Sequence, residues 1–552
     1  MGKLTVALLG ALLAGAASGD ARAAEPGDFS ACDGALPPKP KKSLKPGETQ
    51  DAWRGFGGQL PNRTVLVRNL GVAGLAACER VLADPVLVPE FWARRASLIR
   101  ARALHEMSEK NDEGAIETLG EVDTLYVEHG KGDEIASAKL ANDALRAVAF
   151  YRMKKKAEGE KLLVSINERR PYSPSVRRLT TSIRLLFDTD RSKRLARLRE
   201  QASLNPNTLR LMLMLSMQNR DFDNALLYAD QISFDLPKGR GGWTMRGEEA
   251  RAYNEIEQRA SLRGTRAYAL LALGRMEDSA RELKAARDEV AEAIEPPAPP
   301  PKGGNLSKRV LEDHRRRVAA GDEATAALDD WSRAIAMRMR ASKMTMKAIG
   351  ADPERPKGEA MAVMPDLLFQ VRGASTGEVA DIDKLLEALA AFNDASLTKA
   401  LSLSFTNLTS MLPAPEYDGV RPKMRGEGSN IWRTNLEGYR VMGADNPDLG
   451  NVRMASLAAS PAMVEEAAML VAADHAASLG KDAFVIESAQ MIQRSTTTSG
   501  WVGSYASNSG YEYRLLIRPI NVANGEEQSR HWRALKVSDV RAALAAKYPP
   551  SK

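Results

Sequence analysis

The chain has 552 residues and a formal charge of +7, with 44% hydrophobic but only 5% aromatic residues. A length of this order holds roughly two to four domains with real cores. Sparse aromatics beside plentiful alanine, leucine and arginine argue against β-sandwiches and for stacked helices with small interface residues.

Residues 1–23 read as an export signal. Lys3 supplies a positive charge, Leu4 to Ala17 is an unbroken apolar and small run of 14 residues, and Ala21-Arg22-Ala23 offers a cleavage site near Ala23. A helix needs roughly 20 apolar residues to span a bilayer, so this run is too short for a retained anchor. The expected location is periplasmic or secreted. Ser30-Ala31-Cys32 is a poor lipid-attachment site, because Asp20, Arg22, Glu25 and Asp28 separate it from the apolar run. Residues 24–69 form a leader rich in Pro, Gly and Lys. Two cysteines, Cys32 and Cys78, form an even pair near the mature N-terminus, which in an oxidising compartment reads as a disulfide tying the leader to the first helix.

Helical periodicity runs from residue 70 to 294, with self-similarity at about 34 residues. Ala225 is followed by Ala229, Ile232 and Pro237 at plus four, seven and twelve. After Leu273-Gly274-Arg275, Ser279 is followed by Leu283 and Ala286 at plus four and seven. Gly159 has Ala147 twelve residues before it and Leu163, Ile166 and Pro171 after it, and a weaker copy has Ala103, Ala115, Leu119 and Val122. Small residues at a helix crossing let two axes approach closely, and large apolar residues one and two turns later fill the groove. These residues resemble the tetratricopeptide repeat over about 40% of the chain. The segment Ser175 to Pro206 fits poorly, and Lys238 to Ile256 reads as an insertion. The resemblance implies a TPR-like α-solenoid, because one hairpin cannot bury its apolar stripe alone. It also implies a concave groove for a protein or peptide guest, lined by Val148, Tyr151, Arg210, Met214, Met217 and Tyr268.

Residues 295–304 are a Pro-rich linker ending in Gly303-Gly304. Residues 305–430 read as a helical extension, either further hairpins or a separate domain. Gly321-Asp322 is expected to divide its first helix, Asp352-Pro353 to end the second, Leu367 to Val371 to form a short strand and Val379 to Phe392 a helix. Residues 431–552 read as a small α+β module. Its strands are expected at Gly438–Met442, Asn451–Leu457, Ala483–Ile486 and Tyr513–Ile517, with a helix from Ala462 to Leu479 capped by Gly480. This module is similar to small domains of bacterial envelope lipoproteins over about 50 residues, on the strength of the helix ending in Gly before a Phe-Val strand. Ser495 to Gly510, with Trp501, Tyr505 and nearby Tyr511, reads either as an aromatic binding loop or as a hairpin loop folded onto the sheet.

Catalytic motifs are sparse. Gly373-Ala374-Ser375-Thr376-Gly377 matches G-x-S-x-G, which would allow a secreted serine hydrolase using Ser375 with His475 or His531, oriented by Asp445, Asp448 or Asp474. No series of upstream strands exists to build the parallel sheet of such an enzyme, and Ser375-Thr376-Gly377-Glu378 is also a capping box before a helix. The five histidines lack the three- or four-residue spacing of a helical metal site, and no phosphate-cradling loop is present. No cofactor is expected. Between Tyr151 and Glu200, 15 Lys and Arg face 6 Asp and Glu. This stripe reads as a solvated outer face or, alternatively, as an anionic surface contact in the envelope rather than a nucleic-acid site. The leading expectation is a non-enzymatic periplasmic scaffold that binds a protein or peptide.

Overall fold

The computed structural model describes residues 24–34, 70–87, 89–187, 191–235, 245–298, 306–374, 377–401, 412, 421–426, 437–444, 446–457, 459–500 and 503–550. Residues 90, 191–192, 245–252, 394–401, 494–500 and 503–509 are described by backbone alone. Residues 1–23, expected to be an export signal, most of the expected leader, Ser375 and the end of the proline linker lie outside the described residues.

A short helix α1 (Pro26–Asp33) is followed by α2 (Val72–Leu82), and the Cys32–Cys78 disulfide joins them. Cys32 is thus a half-cystine, as the even count of two cysteines close together anticipated. Closing a loop of this separation contributes about 4 kcal/mol in chain-entropy terms.

Helical hairpins then follow in chain order: α3 (Trp92–Ser108) with α4 (Asp112–His129), α5 (Gly132–Arg152) with α6 (Lys156–Arg169), α7 (Pro174–Phe187) with α8 (Arg191–Ala202), α9 (Thr208–Gln218) with α10 (Phe222–Ala229), and α11 (Met245–Ala272) with α12 (Met276–Ala293). Each helix packs against the next. Four of the hairpins share one turn. Lys110, Lys154, Arg220 and Gly274 take positive φ, and the next N–H (Asn111, Lys155, Asp221 and Arg275) donates to the carbonyl five residues back at 2.8–2.9 Å. That 6→1 bond satisfies a carbonyl the helix end would otherwise strand. Only one of the four turns uses glycine for the left-handed position, so the motif is carried by hydrogen bonding more than by residue type.

The crossings depend on small side chains, as the repeat spacing anticipated. Ala103, Ala115, Ala147 and Ala225 are fully buried. Gly159 lies so near α5 that a Cβ there would come within 3.1 Å of the Ala147 carbonyl and 2.9 Å of the Tyr151 ring. Gly264 admits the Trp331 indole in the same way, which fastens α11 to α13 (Lys308–Ala341).

Helix α13 is continuous, contrary to the break expected at Gly321-Asp322. A Cβ on Gly321 would overlap the Ile294 side chain, so this glycine serves close packing rather than a turn. After α14 (Met346–Ala351), the segment expected as a strand at Leu367–Val371 is helical, within α15 (Met364–Ala374). Its buried residues Leu367, Leu368 and Val371 follow helical spacing, which a five-residue apolar run does not distinguish from a buried strand. Helix α16 (Val379–Leu401) completes this part.

The C-terminal module is an antiparallel five-stranded sheet, ordered β1 (Gly438–Gly443), β2 (Gly450–Ser456), β4 (Gly503–Ile520), β3 (Ala483–Gly500), β5 (Leu535–Lys536). The stretch expected as a loop, Ser495–Gly510, instead continues the β3–β4 ladder from Ser495↔Asn508 to Gly500↔Gly503. Trp501 lies outside the described residues. Helix α17 (Pro461–Ser478) ends before Gly480, whose φ of +71° makes the left-handed cap expected of it. Ala462 to Ala473 of α17 are buried without exception, Glu465 and Glu466 included. A helix buried all round needs cover on every side, and its carboxylates need partners there. The sheet covers one side of α17, and α7 with α18 (Val537–Leu544) packs elsewhere on it. Among the described residues, no helix is long and apolar enough to cross a membrane.

Candidate binding cleft

Four of the six residues assigned to a concave groove are interior. Val148, Tyr151, Met217 and Tyr268 are at most 8% exposed. The face that the repeat pattern would leave open is covered by the chain itself. Tyr151 stacks on Phe187 of α7, with ring centroids 4.9 Å apart, and its hydroxyl donates to Glu160 at 2.8 Å. Helix α15 packs against α9, and the Tyr268 hydroxyl donates to Asp366 of α15 at 2.8 Å. Burial, then the Asp366 charge, raises the Tyr268 pKa well above its usual value. Arg210 and Met214, one turn apart on α9, remain exposed.

Of the candidate hydrolase residues, Ser375 and Asp445 lie outside the described residues. The half-buried His475 packs against Gly450, where a Cβ would come within 2.7 Å of the ring, and desolvation lowers its pKa. Asp474 accepts from Arg541 at 2.7 Å, and the His531 ring bonds the Glu526 carbonyl.

Several cations of the basic stripe are turned inward rather than solvated. Arg169 donates to Asp143 at 2.7 Å, Arg184 to Glu160 at 2.7 Å and Arg170 to Glu466 of α17 at 2.8 Å. Arg170, Arg184 and Arg194 are buried, and desolvation lowers the Arg177 pKa. These arginines join helices to one another and to the C-terminal module. Next to them Glu465, wholly buried, accepts from the Ser173 and Ser175 hydroxyls at 2.6 and 2.7 Å and from the Ser175 amide at 3.1 Å, at the start of α7.

A cavity of about 300 Å³ lies where the array meets the sheet. Its walls come from four separated segments: Asn207 and Arg210 at the start of α9, Gln231 to Phe234 after α10, Asn254 to Gln258 on α11, and Glu487 to Gln490 on β3. Arg210 donates to Gln258 at 2.7 Å and its guanidinium stands 5.0 Å from the Phe234 ring centre. Arg259 approaches the same ring at 4.9 Å but is paired with Glu255 at 2.7 Å. Arg210 has no carboxylate within ion-pair distance among the described residues, and desolvation lowers its pKa.

The strand side of the cleft is neutralised. Glu487 is the extra residue of a β-bulge between Ile486 and Ser488, and its carboxylate meets Arg518 at 2.9 Å, Arg533 at 3.2 Å and Arg530 at 3.6 Å. Arg533 also donates to Gln231 at 2.8 Å and to the Ile486 carbonyl. Desolvation pulls the Arg533 pKa down to about 10, which leaves it charged at neutral pH. Gln231 in turn donates to the Ser529 carbonyl at 2.8 Å, so the seam beside the cleft is pinned from both sides. A pocket of mixed polar and apolar lining that holds an arginine outside any ion pair can orient an anionic or strongly accepting group.

Of these residues, the sequence singled out Arg210 alone. Phe234, Gln258, Gln231, Glu487 and Gln490 have no shared spacing, because tertiary packing rather than local periodicity brings them together. Only Glu487 carries a local sign, a charge breaking the apolar run Ala483–Ile486 where the bulge falls. Comparison of the chain with family models, with curated proteins and with solved structures found no match in any of the three.

Proposed function

We propose that this protein is a non-enzymatic scaffold of the bacterial cell envelope that binds a segment of another protein in the cleft between its helical array and its C-terminal sheet. The observation that carries the reading is the cleft itself, a cavity walled by four separate segments of the chain and holding Arg210 with no carboxylate at ion-pair distance among the described residues. Export to the periplasm is supported by the charged, apolar and small-residue pattern of residues 1–23 and by the Cys32–Cys78 disulfide. We read the hairpins as a TPR-like α-solenoid, supported by the small residues at their crossings and the turn common to four of them. The binding surface, however, is placed at the seam with the sheet instead of along the inner helices.

The test is affinity capture from an envelope fraction using the full mature protein and a Ser488→Trp variant whose indole fills the cleft. A specific protein recovered by the wild type and lost with the variant, at equal thermal stability, is the expected result. Equal recovery by both would overturn the reading.

A further inference from the structure

The cleft opens on an unusual stretch of backbone. Strand β5 covers β3 only at Ala483 and Phe484, whereas β3 continues to Gly500. Beyond that point, among the described residues, no strand pairs with β3 on the side away from β4. An open edge presents N–H and C=O groups at every second residue, and an extended chain can add to it as a new strand.

The phase of that edge follows from the bonds present. The Asp482 carbonyl accepts from the Val537 amide at 2.9 Å, and the Ile486 carbonyl accepts from Arg533, so even-numbered residues face outward as far as 486. The bulge at Glu487 shifts the alternation by one residue. Ala489 and Met491 therefore direct their backbone groups away from β4, beside the cleft wall that carries Arg210. Both residues are half-buried.

Charge selects among possible guests. Around the cleft, Glu255 is matched by Arg259 and Glu487 by three arginines, while Arg210 contacts an amide oxygen and an aromatic face and has Glu359 near enough to act on its charge but not to form an ion pair. A guest carboxylate would complete this balance, and a guest lysine would face an unpaired cation.

We infer that the guest is an extended peptide segment bearing an aspartate or glutamate, which adds as a strand to the open edge of β3 at Ala489–Met491 while its carboxylate pairs with Arg210. This rests on the cleft reading above and specifies its ligand chemistry and binding mode.

The test measures fluorescence anisotropy of a set of end-capped decapeptides, β-branched at alternate positions with a central Glu or Asp, against the full mature protein. Replacing the acid by its amide is expected to weaken binding about tenfold, and Arg210→Gln to weaken the acidic peptides alike without affecting the amide ones. Ala489→Pro removes an outward N–H while sparing the ladder to β4, and is expected to abolish binding with an unchanged melting temperature. Should that variant fail to fold, N-methylation of alternate guest residues removes the same class of bonds from the peptide side and is expected to give the same loss. Equal affinity for acid and amide peptides, binding that survives edge blocking, or no binding by any peptide would each overturn the inference. Capture of an envelope protein that is lost with Ser488→Trp but retained by Arg210→Gln and Ala489→Pro would leave the cleft as the site and end this binding mode. Retention by all three variants would end both.

Discussion

In the array, helix crossings close on alanine and glycine and ion pairs add to them; in the C-terminal module, the elements meet the array chiefly through buried carboxylates and arginines. Gly159 under Tyr151 and Gly264 under Trp331 are contacts of shape. Glu466 is wholly buried on α17 and gathers Arg170 at 2.8 Å, Tyr548 at 2.7 Å and Lys547 at 2.7 Å, a contact of charge. Shape contacts between sequential helices are forgiving, because a small residue can be supplied at any crossing. A buried carboxylate is stabilising only with its full set of donors, since each charge taken from water alone costs several kcal/mol. The seam is thus the more demanding joint, and it is where the cleft lies.

The sharpest way to break this contrast is Glu466→Ala, which removes the carboxylate shared by Arg170, Lys547 and Tyr548. We expect a loss of about 3–5 kcal/mol in chemical denaturation, with Lys547 reverting toward an ordinary lysine pKa once the seam opens. A loss below about 1 kcal/mol would mean that the module hardly depends on the array. Next in size, Cys32→Ser with Cys78→Ser is expected to cost up to about 4 kcal/mol, read as a lower unfolding midpoint under non-reducing conditions. Because the disulfide joins only α1 to α2, hydrogen exchange should rise there and not at the seam. A smaller effect, about 1–3 kcal/mol by overpacking, is expected from Gly159→Val, whose methyls would press on the Tyr151 ring and the Ala147 carbonyl. An unchanged midpoint there would show that α5 and α6 can move apart freely.

The finest probe of the seam is pH. Burial raises the Glu465 pKa above its ordinary 4.5, partly offset by the Ser173 and Ser175 bonds. A carboxyl whose folded pKa is raised binds more protons folded than unfolded. Its contribution is therefore complete below about pH 4.5 and is lost as pH rises through the folded value. Glu465→Gln should flatten the decline in stability over that window while keeping an oxygen for the Ser175 amide. A variant with the wild-type pH profile would contradict the assignment.

The same contrast explains what could be read from the sequence. Ala147, Gly159 and Leu163 stand at fixed offsets because a helical hairpin is a local object, and the structure realises that spacing directly. Cys32 and Cys78 pair, as their even number and nearness in the chain implied. The Gly480 cap and the strand beginning at Ala483 were also local signals. What was lost depends on distant neighbours. Val148, Tyr151, Met217 and Tyr268 share the pattern of an open face, yet all four are buried, Tyr151 under α7 and Tyr268 under α13 and α15. The run at Leu367–Val371 was too short for its period to decide between helix and strand. Ser495–Gly510 has the composition of a loop, and its pairing is dictated by the register of the strands that lead into it. The cleft needed four segments to meet, and no spacing rule spans from Arg210 to Gln490.

The central claim is that the guest lies at the seam, and hydrogen–deuterium exchange of the full protein with and without a captured partner tests it most directly. The account predicts slowed exchange at the amides of Ala489 and Met491, with the first turn of α9 around Arg210 protected alongside them. Protection confined to the outer surfaces of α3 to α6, with the β3 edge exchanging as fast as in the free protein, would contradict it.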